Sequence, residues 1–478
     1  MFAYLSVFFL ILFLSCSTTT TNNDSDDDSS GDDGSGLENA AVPDGAVDPD
    51  SISYVGAFTL PDSGERPDNF EYGGNAMTYR PNGDSSGEDD DYPGSLFITG
   101  HDRLPYDELP TGNQIAELSI PVPVNTTSVS ELNQATFIQN LAEVVGDLFD
   151  DLDELPRIGL QYLNNDLTGE RIHISWGQHF QDEDNPSHAF FSTTLDTPNP
   201  QGAWYVGDAS LYSINGYMFE IPTSWADDNT DSRYLATGRF RDGGWSGKGP
   251  ALYAYVPWTD AEGTLAAADA TLTATTLLQY ESTQTNASVT HQAMTGYQQA
   301  DEWEGGAFIS DSEGNTSVIF AGTKGTGDQY WYGYLDSEDP TAPCVDTAFV
   351  NEYTTCWNSD GTACPAADLT GCDSHNDSRG WWSSRFDSYL IFYDPSDLAA
   401  VAAGTMESYE PQPYGYFDMD EYFFLNPSEI ETDMLGTGNQ QRYRIGDVTY
   451  DRTNRLLYVL ELFADEAKPV VHVFSIDS

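Results

Sequence analysis

The sequence predicts an all-β chain wound into a β-propeller, and three observations carry that prediction. From residue 51 onward, short runs of alternating apolar residues are separated by turn residues. Three distant segments repeat the same strand pattern. The composition, with 42 Gly, 25 Pro and 28 Tyr, favours strands and tight turns over helices.

The first repeat runs Gly74-Asn75-Ala76-Met77-Thr78-Tyr79-Arg80, then Ser95-Leu96-Phe97-Ile98-Thr99, then Ile115-Ala116-Glu117-Leu118-Ser119. The last runs Gly446-Asp447-Val448-Thr449-Tyr450-Asp451, then Leu456-Leu457-Tyr458-Val459-Leu460, then Val470-Val471-His472-Val473-Phe474. A weaker copy spans Gly305 to Ile309 and Ser317 to Gly322. Each reads as a Gly-led inner strand, a central apolar strand and an outer strand, which is how a propeller blade is written. About 40–50 residues per blade gives seven blades, within a range of six to eight. Ile52 to Phe58 can complete the last blade and close the ring. A β-sandwich and a β-helix are the competing folds; the first is usually shorter and the second repeats more strictly.

Two helical interruptions are expected. Leu141, Val144, Val145, Leu148 and Leu152 recur at helical spacing up to Pro156, suggesting an insertion near 138–156. Ser396 is placed to cap Asp397 to Ala403, with Gly404 as the stop. A second insertion is expected near 337–380.

Residues 1 to 15 form an apolar run of signal-peptide length, too short for a comfortable membrane span. Phe13-Leu14-Ser15-Cys16 resembles the lipobox of bacterial lipoproteins. That resemblance implies lipidation at Cys16 and an exported, outer-membrane lipoprotein facing periplasm or cell surface; a plain secretory signal is the alternative. Residues 16–50 are rich in Asp, Ser and Thr and read as a flexible acidic tether. A single propeller domain then spans 51–478.

The chain carries 78 Asp+Glu against 17 Lys+Arg, a formal charge of −61. Duplex nucleic acid and anionic membrane surfaces are bound through Lys and Arg, so this surface excludes them as partners. The acidity reads as adaptation to salty water. At high ionic strength long-range repulsion is screened, the Debye length falling from about 10 Å at 0.1 M to about 3 Å at 1 M, so a local basic pocket can still select an anion.

Besides Cys16, the cysteines Cys344, Cys356, Cys364 and Cys372 lie in one polar stretch. In an exported protein this reads as two disulfides, with three pairings open. Their spacing lacks the close pairs of a zinc site. No cofactor is implied, although calcium bound by acidic funnel residues is an open alternative.

No nucleophile elbow, zinc-protease motif or phosphate loop is present. Chemistry must come from dispersed residues of the kind a propeller funnel assembles. Arg239, Arg241 and Lys248, around Trp245 and several glycines, gather three of the scarce basic residues within ten positions. In extended chain Arg239 and Arg241 would sit on one face about 7 Å apart, suited to a carboxylate; pairing with acids is the plainer reading. His179 and His101 are candidate bases at strand ends. His173 and His179 are about 20 Å apart along a strand and cannot share a metal unless the chain bends sharply at Gly177. His472 reads as structural. Tyr205 and Tyr217 are candidates for stacking a sugar and for proton transfer, against packing between blades.

An Arg, a His and a Tyr are what β-elimination on a uronic-acid glycan requires. In architecture and signal type the chain resembles the propeller-shaped ulvan lyases of marine bacteria. This resemblance implies a polysaccharide lyase; the residues read above would then serve it, with His179, His101, Tyr217 and Arg239 as the catalytic candidates and Arg241, Lys248, Trp245 and Tyr205 as candidates for binding an anionic polysaccharide. The alternatives are a non-catalytic glycan- or protein-binding propeller and a calcium-dependent hydrolase. The protein is expected to be a monomer.

Overall fold

The computed structural model describes residues 36–477 except 63, 66–67, 85–91, 102–113, 151, 153–156, 179–184, 210, 240–246, 260–262, 282–291, 299, 328, 332–380, 384 and 428–437. Cys16, the four clustered cysteines, His179, Arg241 and Trp245 lie outside the described residues, as do His291 and His375.

The described residues form five blades, not seven. Blade 1 is built from Met77–Arg80, Ser95–Thr99, Ile115–Ser119 and Phe137–Ala142. Blade 2 is built from Arg157–Asn165, Gly169–Gly177, His188–Ser192 and Gln201–Val206, with Thr271–Leu272 added at its edge. Blade 3 contains Met218–Glu220, Leu235–Thr237, Leu252–Tyr255 and Ala274–Leu278. Blade 4 contains Glu302–Ser310, Thr316–Gly325, Phe386–Tyr393 and Gly415–Asp418. Blade 5 combines Ile445–Asp451, Leu456–Asp465 and Lys468–Ile476 with Ile52–Thr59 from the start of the domain. Thus the two ends of the chain share one sheet, Ile52 lying opposite Ile476 and Thr59 opposite Val470. The closing role expected of Ile52 to Phe58 is what the structure shows.

The five largest apolar cores agree with the count, one between each pair of neighbouring blades. Strand alternation feeds two cores from one strand. In blade 4, Tyr389, Ile391 and Tyr393 face blade 3, whereas Leu390 and Phe392 face blade 5. The three repeated segments in the sequence are blades 1, 5 and 4. The assumed repeat was too short because long connections separate the strands. One lies in blade 4, where a ribbon of Gln329–Trp331 and Trp381–Ser383 brackets residues 332–380.

The inner strands meet closely at the axis. A Cβ on Gly446 would lie 1.9 Å from the Gly74 carbonyl oxygen, and one on Gly159 would lie 2.1 Å from that of Gly216. Glycine is required at both positions because no side chain fits between the backbones.

Two α-helices occur among the described residues, Thr223–Asn229 and Pro395–Ala402. The second matches the expected segment, but its N-cap is Asp394, which accepts from the Ser396 N–H at 2.8 Å. Ser396 is therefore inside the helix, and Gly404 follows its end at φ +70°. The helix expected near 138–156 does not form among the described residues of that stretch. Phe137–Ala142 is the outer strand of blade 1 and Gly146–Phe149 a single 3-10 turn. Val144 and Val145 are buried between blades 1 and 2, so their spacing reflects a turn wedged into a core.

Residues 36–50, read above as tether, are packed. Leu37, Val47 and Pro49 are buried. The segment crosses blade 4, where the Val47 N–H donates to Ser317 Oγ at 3.0 Å and the Thr316 N–H to the Gly45 carbonyl at 2.9 Å. Ala40 N–H donates to the Tyr414 carbonyl at 2.9 Å, and the Tyr414 hydroxyl to that of Val47 at 2.7 Å. A few apolar side chains suffice to dock an otherwise polar strap because several of its backbone groups also find partners on blade 4.

Deleting residues 36–51 is expected to lower the melting temperature while leaving unfolding cooperative. Deleting residues 36–59, which also removes the closing strand, is expected to abolish the single cooperative transition. Circular dichroism melts of both deletions check this.

Candidate functional site

All five inner strands run in the same direction, so Met77, Arg157, Met218, Glu302 and Ile445 begin at one mouth of the ring. The connections from second to third strand in each blade arrive at the same mouth. Among the described candidates, His101, Tyr217, Arg239 and Lys248 therefore share one end of the molecule, as propeller topology dictates.

At the axis, Arg157 of blade 2 reaches Glu304 of blade 4 at 3.3 Å. These blades are not neighbours, so the ion pair crosses the ring past blade 3. Asp447 of blade 5 stands beside them and accepts the Met77 N–H of blade 1 and its neighbour Val448 N–H, both at 2.7 Å. Burial pushes the Asp447 carboxyl well above the usual carboxylate range, and the nearby Glu304 charge adds to the effect. None of these residues was singled out from the sequence. The available signal was an arginine opening an inner strand in a chain with 17 basic residues.

Arg239 follows the second strand of blade 3 and turns inward. Its guanidinium donates to Asn215 Oδ1 at 2.5 Å and to the Gln178 carbonyl at 3.0 Å, and lies 5.0 Å from the Tyr212 ring centre. Only 2% of the residue is exposed. Gly177 makes room for it, since a Cβ there would lie 2.4 Å from the guanidinium. Arg239 thus joins blades 2 and 3.

Tyr217 is also enclosed, at 1% exposure. Its hydroxyl donates to the Ala251 carbonyl at 2.6 Å and accepts the Ala251 N–H at 3.1 Å. Burial pushes the phenol far up, so it does not ionise in ordinary conditions. His101 is buried, with Nδ1 2.7 Å from the Glu71 carbonyl and its ring edge-on to Tyr72. The backbone carbonyl accepts, so Nδ1 carries the proton. Lys248 is buried at the mouth, where burial lowers its pKa against the pull of Glu281. Tyr205 lies elsewhere, half-buried on the fourth strand of blade 2 opposite Thr271, and does not join Arg239.

The remaining described histidines are structural in placement. His472 sits between Glu461 Oε2 at 2.9 Å and the Tyr54 hydroxyl at 3.1 Å. His173 is buried in blade 2 edge-on to Phe190, and burial pushes it down to about 3, so it stays neutral. His188, passed over in the sequence, bridges Ser187 Oγ and Thr237 Oγ1, each at 3.0 Å, and burial pushes it likewise down to about 3.

The blade 4 side of the mouth holds a second charged group that sequence reasoning missed. Lys324 and Asp301 form a buried pair at 3.0 Å. Beside it, Asp387 accepts from Thr326 Oγ1 at 2.5 Å and pairs with Arg385 at 2.8 Å. Asp420 accepts the Ser388 N–H at 2.8 Å and pairs with Arg444 at 2.5 Å. Burial opposes ionisation of Asp420, but the Arg444 charge and the hydrogen bonds outweigh it and hold its pKa low. Burial pushes Asp387 up, helped by the Asp420 charge. Asp418 is pushed up to about 6 by burial, with Asp420 and Asp387 adding. Carboxyls with separated proton affinities can act as acid and base. Among the described residues no three His, Cys, Asp or Glu side chains converge to hold a metal ion.

No protein-family model matches the chain, and no curated protein matches it. A solved structure described as "Humanized mutant of the Chaetomium thermophilum Polycomb Repressive Complex 2 bound to the inhibitor GSK126" contains a chain 9% identical over 89% of this one and 98% of its own, with a TM-score of 0.28. That superposition is too loose to carry an argument.

Two expectations follow from the site. Removing one partner of a buried ion pair strands the other, so Glu304→Gln is expected to cost about 3–5 kcal/mol in denaturant unfolding. Asp447 and Asp418 bind protons more tightly folded than unfolded, so their contribution to stability is complete below an unfolded pKa of about 4 and is lost as pH rises. For Asp418 the loss falls between about 4 and about 6. Melting temperatures measured across pH should decline over that window, and less steeply in Asp418→Asn.

Proposed function

We propose that this protein is an exported, surface-tethered propeller that binds a polysaccharide through its mouth without cleaving it. The observation that supports binding over catalysis is the enclosure of Tyr217, Arg239 and His101. Each is buried and makes at least one hydrogen bond within the fold, so none of them reaches a substrate without rearrangement. The lipobox resemblance and the acidic composition support a site of action at a surface in salty water, and a lipid anchor at Cys16 would hold the propeller there.

Cleavage of a uronic-acid glycan, the reading that the sequence favours, would now draw its base and cation from His179 and Arg241 with Trp245 as a stacking surface. A calcium-dependent hydrolase finds no cluster of ligands among the described residues.

Affinity electrophoresis against uronic-acid polysaccharides is expected to show retention that strengthens from low salt to marine salt, with no unsaturated uronate detected by ultraviolet absorbance. Release of unsaturated product, abolished by Arg241→Ala or His179→Ala, would establish the lyase instead. Absence of retention at marine salt would sink the mouth as a polysaccharide site.

A further inference from the structure

A groove of about 710 Å³ lies at the junction of blades 5 and 1, away from the Arg239 side of the mouth. One wall is the end of the closing strand with Asp62, and another is the segment 127–134, which pairs in parallel with that strand through Asn133 and Gln134. The third is the Asp465–Lys468 hairpin with Phe424 and Asn426. Lys468 clamps the walls together, its ammonium 2.6 Å from Asp62 and 2.9 Å from Asp465.

The volume falls within the range of about 300–1,000 Å³ typical of small-ligand sites. Its chemistry narrows the ligand. Asp62, Asp465 and Glu466 oppose one ammonium, which is itself held by two of them, so the groove is net negative and repels anions. Gln134 and Asn426 are exposed; their amide nitrogens donate to the Leu60 carbonyl at 3.3 Å and the Ala464 carbonyl at 3.4 Å, and their amide oxygens are acceptors. Half-buried Phe424 and Leu132 add apolar surface between these polar groups. Carboxylates and amides around an aromatic surface match a ligand dense in hydroxyls, with C–H faces and no charge. We propose that this groove binds a neutral oligosaccharide, independently of whatever the mouth binds.

The test is calorimetric titration of the full chain with neutral β-glucan, mannan and xylan oligosaccharides, in wild type and in Gln134→Ala, Asn426→Ala and Arg239→Ala. Circular dichroism melts verify that each variant is folded. At least one neutral oligosaccharide should saturate the wild type, bind at least tenfold more weakly to both groove variants, and bind Arg239→Ala as it binds wild type. The proposal is overturned if no neutral oligosaccharide saturates, or if both groove variants bind unchanged. It is equally overturned if Asn426→Ala and Gln134→Ala impair binding of an oligouronate or a cationic chitosan oligomer instead.

Discussion

Each blade turns an unpaired strand edge toward the axis, and the ring stands on how those edges are satisfied. An open edge carries N–H groups that no neighbouring strand satisfies, and each one buried and left unmet is costly. Side-chain oxygens from the preceding blade supply the acceptors. Asp447 and Thr449 of blade 5 accept from Met77 and Tyr79 of blade 1, and Thr78 of blade 1 accepts from Tyr162 of blade 2. The backbones approach so closely at Gly446 and Gly159 because no Cβ stands between them.

The axial charges follow from the same closeness. A ring with so narrow a centre can be spanned by one long side chain, and Arg157 does so to reach Glu304. Such a pair is weak evidence for net stability, since desolvation offsets most of its attraction. What it adds is specificity: only one arrangement of blades 2 and 4 brings the partners together. The same logic extends to Arg239 between blades 2 and 3 and Arg444 near the junction of blades 4 and 5. A chain with few cations places several where blades must be aligned.

Much of the fold was legible because strand alternation is a local property. The repeats at Gly74 to Ser119 and Gly446 to Phe474 are blades 1 and 5, and Ile52 to Phe58 closes the ring. Blade 3 escaped notice because its strands are short; Met218–Glu220 and Leu235–Thr237 have three residues each. The helix expected at Leu141 to Leu152 failed because apolar spacing around a turn mimics helical periodicity. Among site candidates, the sequence brought out Arg239 and Tyr217 as unusual but could not show that both are engaged inside.

The sequence by itself determined the all-β class, the propeller texture and the strand that seals the ring, since each depends on alternation and turn chemistry within a few residues. Only the tertiary structure decided the number of blades and the fate of the charged groups. Blade number depends on how strands far apart in the chain share cores, and connection length hides that count. Whether Arg239 faces a ligand or Asn215, and whether Asp418 titrates near 4 or near 6, depends on burial by elements distant in sequence.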